Sequence, residues 1–124
     1  MTTIAHPPET LEGWYTLHQV FSIDRRALRA LDDATRRRQE QQLCVALTEL
    51  ASPEDGGWSA PARLIGSTGE LMLVHFRPTL DALGAVQQRL AREPLMDAMH
   101  PVYSFLSVTE AGLYHITAQL AKDA

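Results

Sequence analysis

This 124-residue chain lacks several features that define common protein classes. It has one cysteine, Cys44, which excludes an internal disulfide and is typical of a reducing compartment. No apolar run approaches the ~18–20 residues needed to span a bilayer. The first nine residues carry two prolines but no signal-peptide core. We therefore expect a cytoplasmic protein with no membrane segment, in which residues 1–8 form a flexible leader.

Positive charge is also scarce. The net charge of -4 and the sequence pI near 5.7 argue against a broad nucleic-acid surface. The basic run Arg36–Arg37–Arg38 stands beside Asp32, Asp33 and Glu40 in a helical pattern. A solvated helix face explains this run better than an anion site does.

The usual catalytic and metal motifs are absent from the sequence. No glycine-rich phosphate loop leads from a strand into a helix, and no cysteine or histidine pair has zinc spacing. Ser104 and Ser107 have no local base that could activate them as nucleophiles. From these absences together we predict no catalytic residue and no metal ligand in this chain. Cys44 lies beside Leu43 and Leu47 and is predicted to be buried.

The five histidines are the remaining candidates for metal ligation, because imidazole nitrogens are common metal ligands. They are His6, His18, His75, His100 and His115. His18 and His75 fall in predicted strands, where they could share a face, and His100 is placed in a loop before a proline. We expect packed or partly exposed histidines rather than metal ligands.

Residues 12–24 form the most informative stretch, because they read as a strand with large side chains on both faces. Alternation places one set on each side of the sheet. One set is Tyr15, Leu17, Phe21 and Ile23, interrupted by Gln19, and the other is Trp14, Thr16, His18 and Val20. A sheet that meets water on one face should not show this pattern.

The first half of the chain continues with helices. Asp24 is predicted to cap a short helical turn through Leu31, and Asp32 or Asp33 to cap a longer helix. The apolar stripe of that longer helix comprises Leu43, Ala46, Leu47 and Leu50. Residues 52–57, with a proline and two glycines, should end it.

The second half predicts a hairpin, a helix and a last strand. Residues 58–65 form a strand that Pro61 confines to a sheet edge or a bulge, residues 66–69 a turn, and residues 70–76 a buried strand. Thr79 should cap a helix over residues 80–92, with the inward stripe Leu80, Leu83, Val86 and Leu90. After a turn at residues 95–99, residues 102–109 form a strand that is apolar on both faces.

The order strand, helix, strand, strand, helix, strand predicts an α+β, ferredoxin-like βαββαβ domain over residues 9–117. Its four-stranded antiparallel sheet would carry both helices on one face, with residues 118–124 as a C-terminal tail (a truncated linker). The other face should pair with a second sheet as a dimeric α+β barrel. Trp14 and Trp58 would pack at that contact or in the core. The alternative is a half-exposed sheet with scattered apolar residues.

Three stretches in this order resemble a known family. They are Pro8-Glu-Thr-Leu-Glu-Gly-Trp-Tyr-Thr-Leu-His18, Leu71-Met-Leu-Val-His-Phe-Arg-Pro-Thr-Leu-Asp81, and Pro101-Val-Tyr-Ser-Phe-Leu-Ser-Val-Thr-Glu110 followed by Tyr114. Together they resemble the N-terminal half of the chlorite dismutase-like family, in its coproheme decarboxylase branch.

The resemblance implies a subunit of two ferredoxin-like halves whose sheets pack into a barrel, usually assembled as a pentamer. Coproheme would bind in the C-terminal half through a histidine on the iron. A tyrosine and a lysine of that half would serve the peroxide-dependent oxidative decarboxylation of two propionates. In the N-terminal half, Tyr114 matches a tyrosine that contacts a propionate, although Leu113 precedes it where relatives often carry a polar residue.

This sequence stops where the linker to the catalytic half should begin. We therefore expect a non-catalytic half or subunit that binds coproheme or heme only with a C-terminal half, as a homo-oligomer or a hetero-oligomer. The alternative is a non-enzymatic dimeric α+β barrel for assembly or small-ligand binding. A small monooxygenase of the same barrel class ranks last, since no residue here has an assignable role in it.

Overall fold

The computed structural model describes residues 13–109 and 120–122. The elements are β1 (Tyr15–Ile23), α1 (Arg25–Arg29), α2 (Asp33–Ala51), β2 (Trp58–Arg63), β3 (Leu71–Arg77), α3 (Leu80–Ala91), a 3₁₀ helix (Pro94–Ala98) and β4 (Met99–Val108). Residues 120–122 are also helical. This order confirms the predicted βαββαβ arrangement. His6, Tyr114, His115 and the proposed leader lie outside the described residues.

The four strands form one antiparallel sheet in the order β2-β3-β1-β4. Leu17 of β1 stands opposite His75 of β3 on one side and Leu106 of β4 on the other. Pro61 lies in β2, which is an edge strand as predicted, because proline cannot donate to a ladder.

Side-chain caps begin each helix where the sequence predicts them. Asp24 accepts a hydrogen bond from the amide of Ala27 at 3.0 Å, and Asp32 accepts one from the amide of Thr35 at 2.7 Å. Thr79 caps α3 through the amide of Ala82 at 3.0 Å. Each cap satisfies an amide that has no partner within its helix.

The core lies between the helices and one face of the sheet. Its buried cluster comprises Phe21, Leu43, Leu73, Val86, Leu90 and Leu95, with Leu47 and Leu50 packed against it. The predicted stripe of α2 is therefore confirmed. In the described residues, no helix is long and apolar enough to cross a membrane.

Two predicted core residues are exposed. Leu80 is 51% exposed, because it lies in the first turn of α3, just after β3 and the Pro78 turn, and lines a cleft at that end of the sheet. Cys44 is also exposed. It follows the buried Leu43 by one position, and one position turns a helix by about 100°. The predictions of burial were wrong at both positions.

The start of β2 depends on a glycine. Gly57 has φ of +98°, and a Cβ atom there would collide with the carbonyl oxygen of Phe76. A residue without a side chain therefore lets β2 turn in against β3. This close approach fixes Trp58, the next residue, on the outer face of the sheet.

Candidate functional site

In the described part of the chain, the strand side chains that point away from the helices form a surface without a charged group, and we call it the helix-free face. Strand alternation and register define its members. They are Trp14, Thr16, His18, Val20, Trp58, Ala60, Ala62, Met72, Val74, Phe76, Tyr103, Phe105 and Ser107. Not one is an aspartate, glutamate, lysine or arginine.

One end of the helix-free face holds an aromatic cluster. Phe76 is 8% exposed and packs between two tryptophans. Its ring centroid lies 5.2 Å from that of Trp14 and 5.9 Å from that of Trp58. Trp58 remains 44% exposed, so it lies at the surface rather than in the core. Aromatic rings of this kind are enriched at protein interfaces.

The other end of the face holds a second aromatic group. His18 stacks on Phe105 with centroids 4.3 Å apart, and Phe105 contacts Tyr103 at 5.5 Å. Tyr103 is 60% exposed and Phe105 is 42% exposed. Among the residues that the structure describes, the buried Nδ1 atom of His18 has no hydrogen-bond partner. Because Tyr103 and Phe105 are exposed aromatic side chains, the face can bind a flat apolar surface such as another sheet.

His18 and His75 do not share a face, although their positions in predicted strands left that arrangement open. The register places His75 opposite Leu17 and His18 opposite Val74. Because neighbouring positions alternate across a strand, His75 points toward the helices and His18 points away from them. The two imidazoles cannot form one ligand pair.

A buried polar network occupies the helix side of the sheet. Arg77 donates to the Ser59 hydroxyl at 3.0 Å, and Ser59 contacts Nδ1 of His75 at 2.6 Å. Nε2 of His75 contacts the Gln19 side-chain oxygen at 2.9 Å. If Ser59 donates to Nδ1 and Nε2 donates to Gln19, every donor meets an acceptor and His75 is neutral. The prediction that His75 is a packed histidine is confirmed.

Burial, and then the nearby charge of Arg77, lower the pKa of His75 from 6.5 to about 4. Both effects disfavour the imidazolium form. Burial also lowers the pKa of Arg77, which is 3% exposed. Since both ring nitrogens of His75 are hydrogen-bonded within the fold, this imidazole offers no lone pair to an iron.

Arg77 ties the network to the backbone. It donates to the carbonyl oxygens of Trp58 at 2.6 Å, Phe76 at 3.0 Å and Leu50 at 2.9 Å. The guanidinium thereby joins the last turn of α2 to the beginning of β2. Sequence reasoning missed this network, yet one signal was present: Gln19, Ser59, His75 and Arg77 are polar at positions that alternate with apolar ones.

His100 lies in β4, not in the loop that the sequence predicted, because β4 begins at Met99. Its Nε2 atom contacts the Asp24 carboxylate at 3.0 Å on the surface. Hydrogen bonds from the Ala27 amide and from His100 lower the pKa of Asp24. Across residues 13–109 and 120–122, no group of three histidine, cysteine or acidic residues could hold a metal.

A shallow cleft of about 260 Å³ opens at the end of the sheet where β4 stops. Its lining comprises Gly13, Tyr15, Pro78, Thr79, Leu80 and Asp81. The volume falls below the ~300–1,000 Å³ that is usual for a ligand pocket. The amide of Thr109 donates to the Trp14 carbonyl at 2.8 Å, so the chain leaves β4 near this cleft.

The comparisons with known proteins agree with this fold. The family model described as chlorite dismutase matches residues 32–124, which is three quarters of the chain. The chain belongs to the chlorite dismutase family. It covers the N-terminal half of the family fold.

Named relatives of this family member include coproheme decarboxylases. This chain is 32% identical to the coproheme decarboxylase of Staphylococcus carnosus over 108 residues, which cover 86% of this chain and 43% of the relative. A Natronomonas pharaonis protein described as a candidate heme-binding protein is 36% identical over 111 residues, or 87% of this chain and 18% of that protein. The chain thus spans less than half the length of these relatives.

Solved structures show the same fold. A heme-binding protein from Thermus thermophilus superposes with a TM-score of 0.72 at 28% identity, covering 84% of this chain and 44% of that one. Chlorite dismutase from Candidatus Nitrospira defluvii, as an R173K mutant, gives a TM-score of 0.71 at 13% identity, with coverages of 91% and 48%. These likenesses confirm the α+β class with its four-stranded antiparallel sheet.

Proposed function

We propose that this chain is the N-terminal, non-catalytic half or subunit of a chlorite dismutase-like heme protein. The proposed whole resembles coproheme decarboxylase of heme biosynthesis, in which peroxide-dependent oxidation decarboxylates two propionates of coproheme. A C-terminal half or a partner polypeptide supplies the iron site. The uncharged, aromatic helix-free face is the observation that carries this proposal, because it presents a sheet surface suited to a second sheet.

The described residues do not fit an iron porphyrin by themselves. The ring nitrogens of His75 contact Ser59 and Gln19, and His100 contacts Asp24. The imidazole of His18 stacks flat on Phe105, and its Nδ1 atom is buried. The cleft near Tyr15 is too small for a porphyrin. These contacts support placing the iron ligand in the partner half.

In this proposal the chain supplies two things. One is the surface that docks the partner half, and the other is a contact to a propionate of the porphyrin. Trp58, Tyr103 and Phe105 are the anchors of the docking surface, since large exposed aromatics dominate interface energetics. Tyr114 is the proposed donor to a propionate, a role carried by the family resemblance. Tyr114 comes after β4 in the sequence, and β4 ends beside the cleft that Tyr15 lines.

A titration with iron coproporphyrin tests the proposal. The protein alone should give no saturable shift of the Soret band. Mixed with a polypeptide of the C-terminal half of the Staphylococcus carnosus decarboxylase, it should form a complex that binds the porphyrin more tightly than that polypeptide does alone. A stoichiometric shift with this chain alone would contradict the proposal, and so would a mixture that forms no complex.

A substitution at Tyr114 tests the contact with the cofactor. Tyr114→Phe removes only the hydroxyl, so it should weaken porphyrin binding by the mixture about tenfold, as expected for a hydrogen bond to a charged group. Its affinity for the C-terminal polypeptide should not change. Leu113→Ala is the matched neighbour and should leave porphyrin binding as it was. Equal weakening by both variants would count against a specific role for Tyr114.

A stable homo-oligomer that binds neither the porphyrin nor the C-terminal polypeptide would instead support the non-enzymatic barrel. Light scattering on the purified chain, with and without the porphyrin, separates these two outcomes.

A further inference from the structure

The two edges of the sheet differ in how they are protected. β2, at one edge, carries Pro61 and Arg63, which discourage pairing with another strand. β4, at the other edge, carries Pro101 near its start, and its stretch Val102-Tyr-Ser-Phe-Leu-Ser-Val108 has neither a proline nor a charged side chain. Within residues 13–109 and 120–122, no strand lies beyond β4. A long uncharged edge of this kind favours pairing with another strand.

The outward backbone groups of β4 follow from its hydrogen bonds with β1. The amide of Thr109 donates inward to the carbonyl of Trp14. Alternate residues of an antiparallel strand direct their backbone groups to opposite sides. Those of Ser104, Leu106 and Val108 therefore point away from β1, toward the open edge.

Both faces of β4 are also exposed. Tyr103 and Phe105 lie on the helix-free face, whereas Leu106 and Val108 lie on the helix side and are 53% and 54% exposed. A second sheet on the helix-free face would cover only the first pair. A strand beside β4 would contact residues of both faces, because cross-strand neighbours meet above and below the sheet.

We propose that β4 pairs antiparallel with β4 of a second copy of this chain, about a two-fold axis at Phe105. In this register Ser104 stands opposite Leu106 of the second copy, and both present outward backbone groups, as a hydrogen-bonded pair requires. Phe105 stands opposite its own equivalent, and Tyr103 opposite Ser107. This interface runs along the backbone edge of β4 and does not depend on the proposed function, although Tyr103, Phe105 and Ser107 also belong to the helix-free face.

The second copy is favoured over an unrelated strand because the segment complements itself. The pairing brings aromatic against aromatic at the axis, and it places no like charges together, since the stretch Val102–Val108 has no charged side chain. The resulting dimer would carry one eight-stranded sheet with the helices of both copies on one side. The exposed edges would then be the two protected β2 strands.

A charge-insertion experiment tests the pairing. Ser104→Lys combined with Leu106→Lys places two lysines opposite two lysines across the axis, at exposed positions on the helix side. Sedimentation equilibrium of the natural chain should show a monomer–dimer equilibrium. The double variant should raise the dimer dissociation constant about tenfold or more. Gln87→Lys with Gln88→Lys on exposed positions of α3 adds the same charge and should leave that constant unchanged.

Cross-linking tests the position of the axis. In a Cys44→Ser background, Phe105→Cys should form an intermolecular disulfide under mild oxidation, because a non-hydrogen-bonded pair at the axis brings the two residues close. Ala62→Cys on β2 should not cross-link. A natural chain that stays monomeric at every concentration would overturn the proposal, as would a lysine double variant that dimerises normally. Trp58→Ser, on the helix-free face far from β4, should still dimerise, and loss of dimer in that variant would also overturn it.

Discussion

His75 is a histidine that the fold holds in its neutral form. Its ring is buried, one nitrogen contacts Ser59, and the other contacts Gln19. Protonation would place a second positive charge near the buried Arg77 and would break the hydrogen bond from Ser59. The titration of His75 therefore makes the free energy of unfolding depend on pH.

The direction of this pH dependence follows from the lowered pKa. The unfolded chain takes up a proton near pH 6.5, whereas the folded chain resists it until about pH 4. The free energy of unfolding should be undiminished above pH 6.5 and fall by about 1.4 kcal/mol per pH unit as the pH drops toward 4, or roughly 3 kcal/mol in all. Urea unfolding at pH 7.0, 6.0 and 5.0 measures this loss. His75→Gln is neutral at every pH, so it should flatten the dependence, and an unchanged slope would contradict our assignment.

Arg77 is a buried cation whose partners are carbonyl and hydroxyl oxygens. Arg77→Lys keeps the charge but cannot reproduce the planar set of donors to Trp58, Leu50 and Ser59. We expect a loss of about 2 kcal/mol or more in the free energy of unfolding, because buried acceptors are left unpaired. Chemical denaturation measures it. Arg63→Lys on the exposed edge of the same sheet should change stability by less than about 0.5 kcal/mol.

At the scale of elements, α2 shows how a cap sets a boundary. Asp32 accepts hydrogen bonds from the Thr35 amide at 2.7 Å and from its hydroxyl at 3.1 Å, and these bonds lower the pKa of Asp32. Asp32→Ala should lower the Tm by about 4 °C at pH 7. The effect should fade as the pH falls through the lowered pKa, since the protonated carboxyl is a weaker acceptor. Asp33→Ala, one residue later and without a capping bond, should have a smaller effect in the same thermal scan.

The elements themselves could be predicted because local chemistry specifies them. Asp24, Asp32 and Thr79 cap helices within three residues of their own positions, and Pro61 marks an edge strand. The failures at Leu80, Cys44 and His100 occur at element ends or one step from a buried position. At such places, a shift of one residue changes burial.

The site was harder to predict than the elements, because register decides it. The sequence places His18 and His75 in strands, but only the pairing of Leu17 with His75 shows that the two rings lie on opposite faces. The network through Ser59 joins residues 16 and 18 positions apart along the chain, and the contact with Gln19 spans 56. Such contacts are not visible in local patterns. The apolar second face of β1, by contrast, predicted the helix-free face correctly.

At the scale of the whole molecule, the helix-free face and the β4 edge are two surfaces with different expected occupants. A variant at a residue that belongs to only one of them, such as Trp58 on the face or Ser104 on the edge, should therefore leave binding at the other unchanged. Trp58 lies at the β2 end of the face and Tyr103 at the β4 end, and both are more than 40% exposed. Substitutions there should alter binding more than folding.

Trp58→Ser should weaken binding to the C-terminal-half polypeptide about tenfold or more, because an exposed aromatic anchor loses its apolar contact area. Isothermal titration calorimetry measures that affinity. Val45→Ser, an apolar residue of α2 that is 48% exposed on the helix side, is the matched control and should bind as the natural chain does. Unaltered binding by both Trp58→Ser and Tyr103→Ser would show that the partner docks elsewhere.

The same variant separates docking from cofactor binding. If the iron ligand lies in the partner half, Trp58→Ser should reduce the Soret shift only while the C-terminal polypeptide is below saturation. At a saturating concentration the full shift should return, because Trp58 affects how many complexes form and not how each complex binds the porphyrin. A shift that stays reduced at saturation would place Trp58 at the cofactor itself, and the division of roles between the two halves would then be wrong.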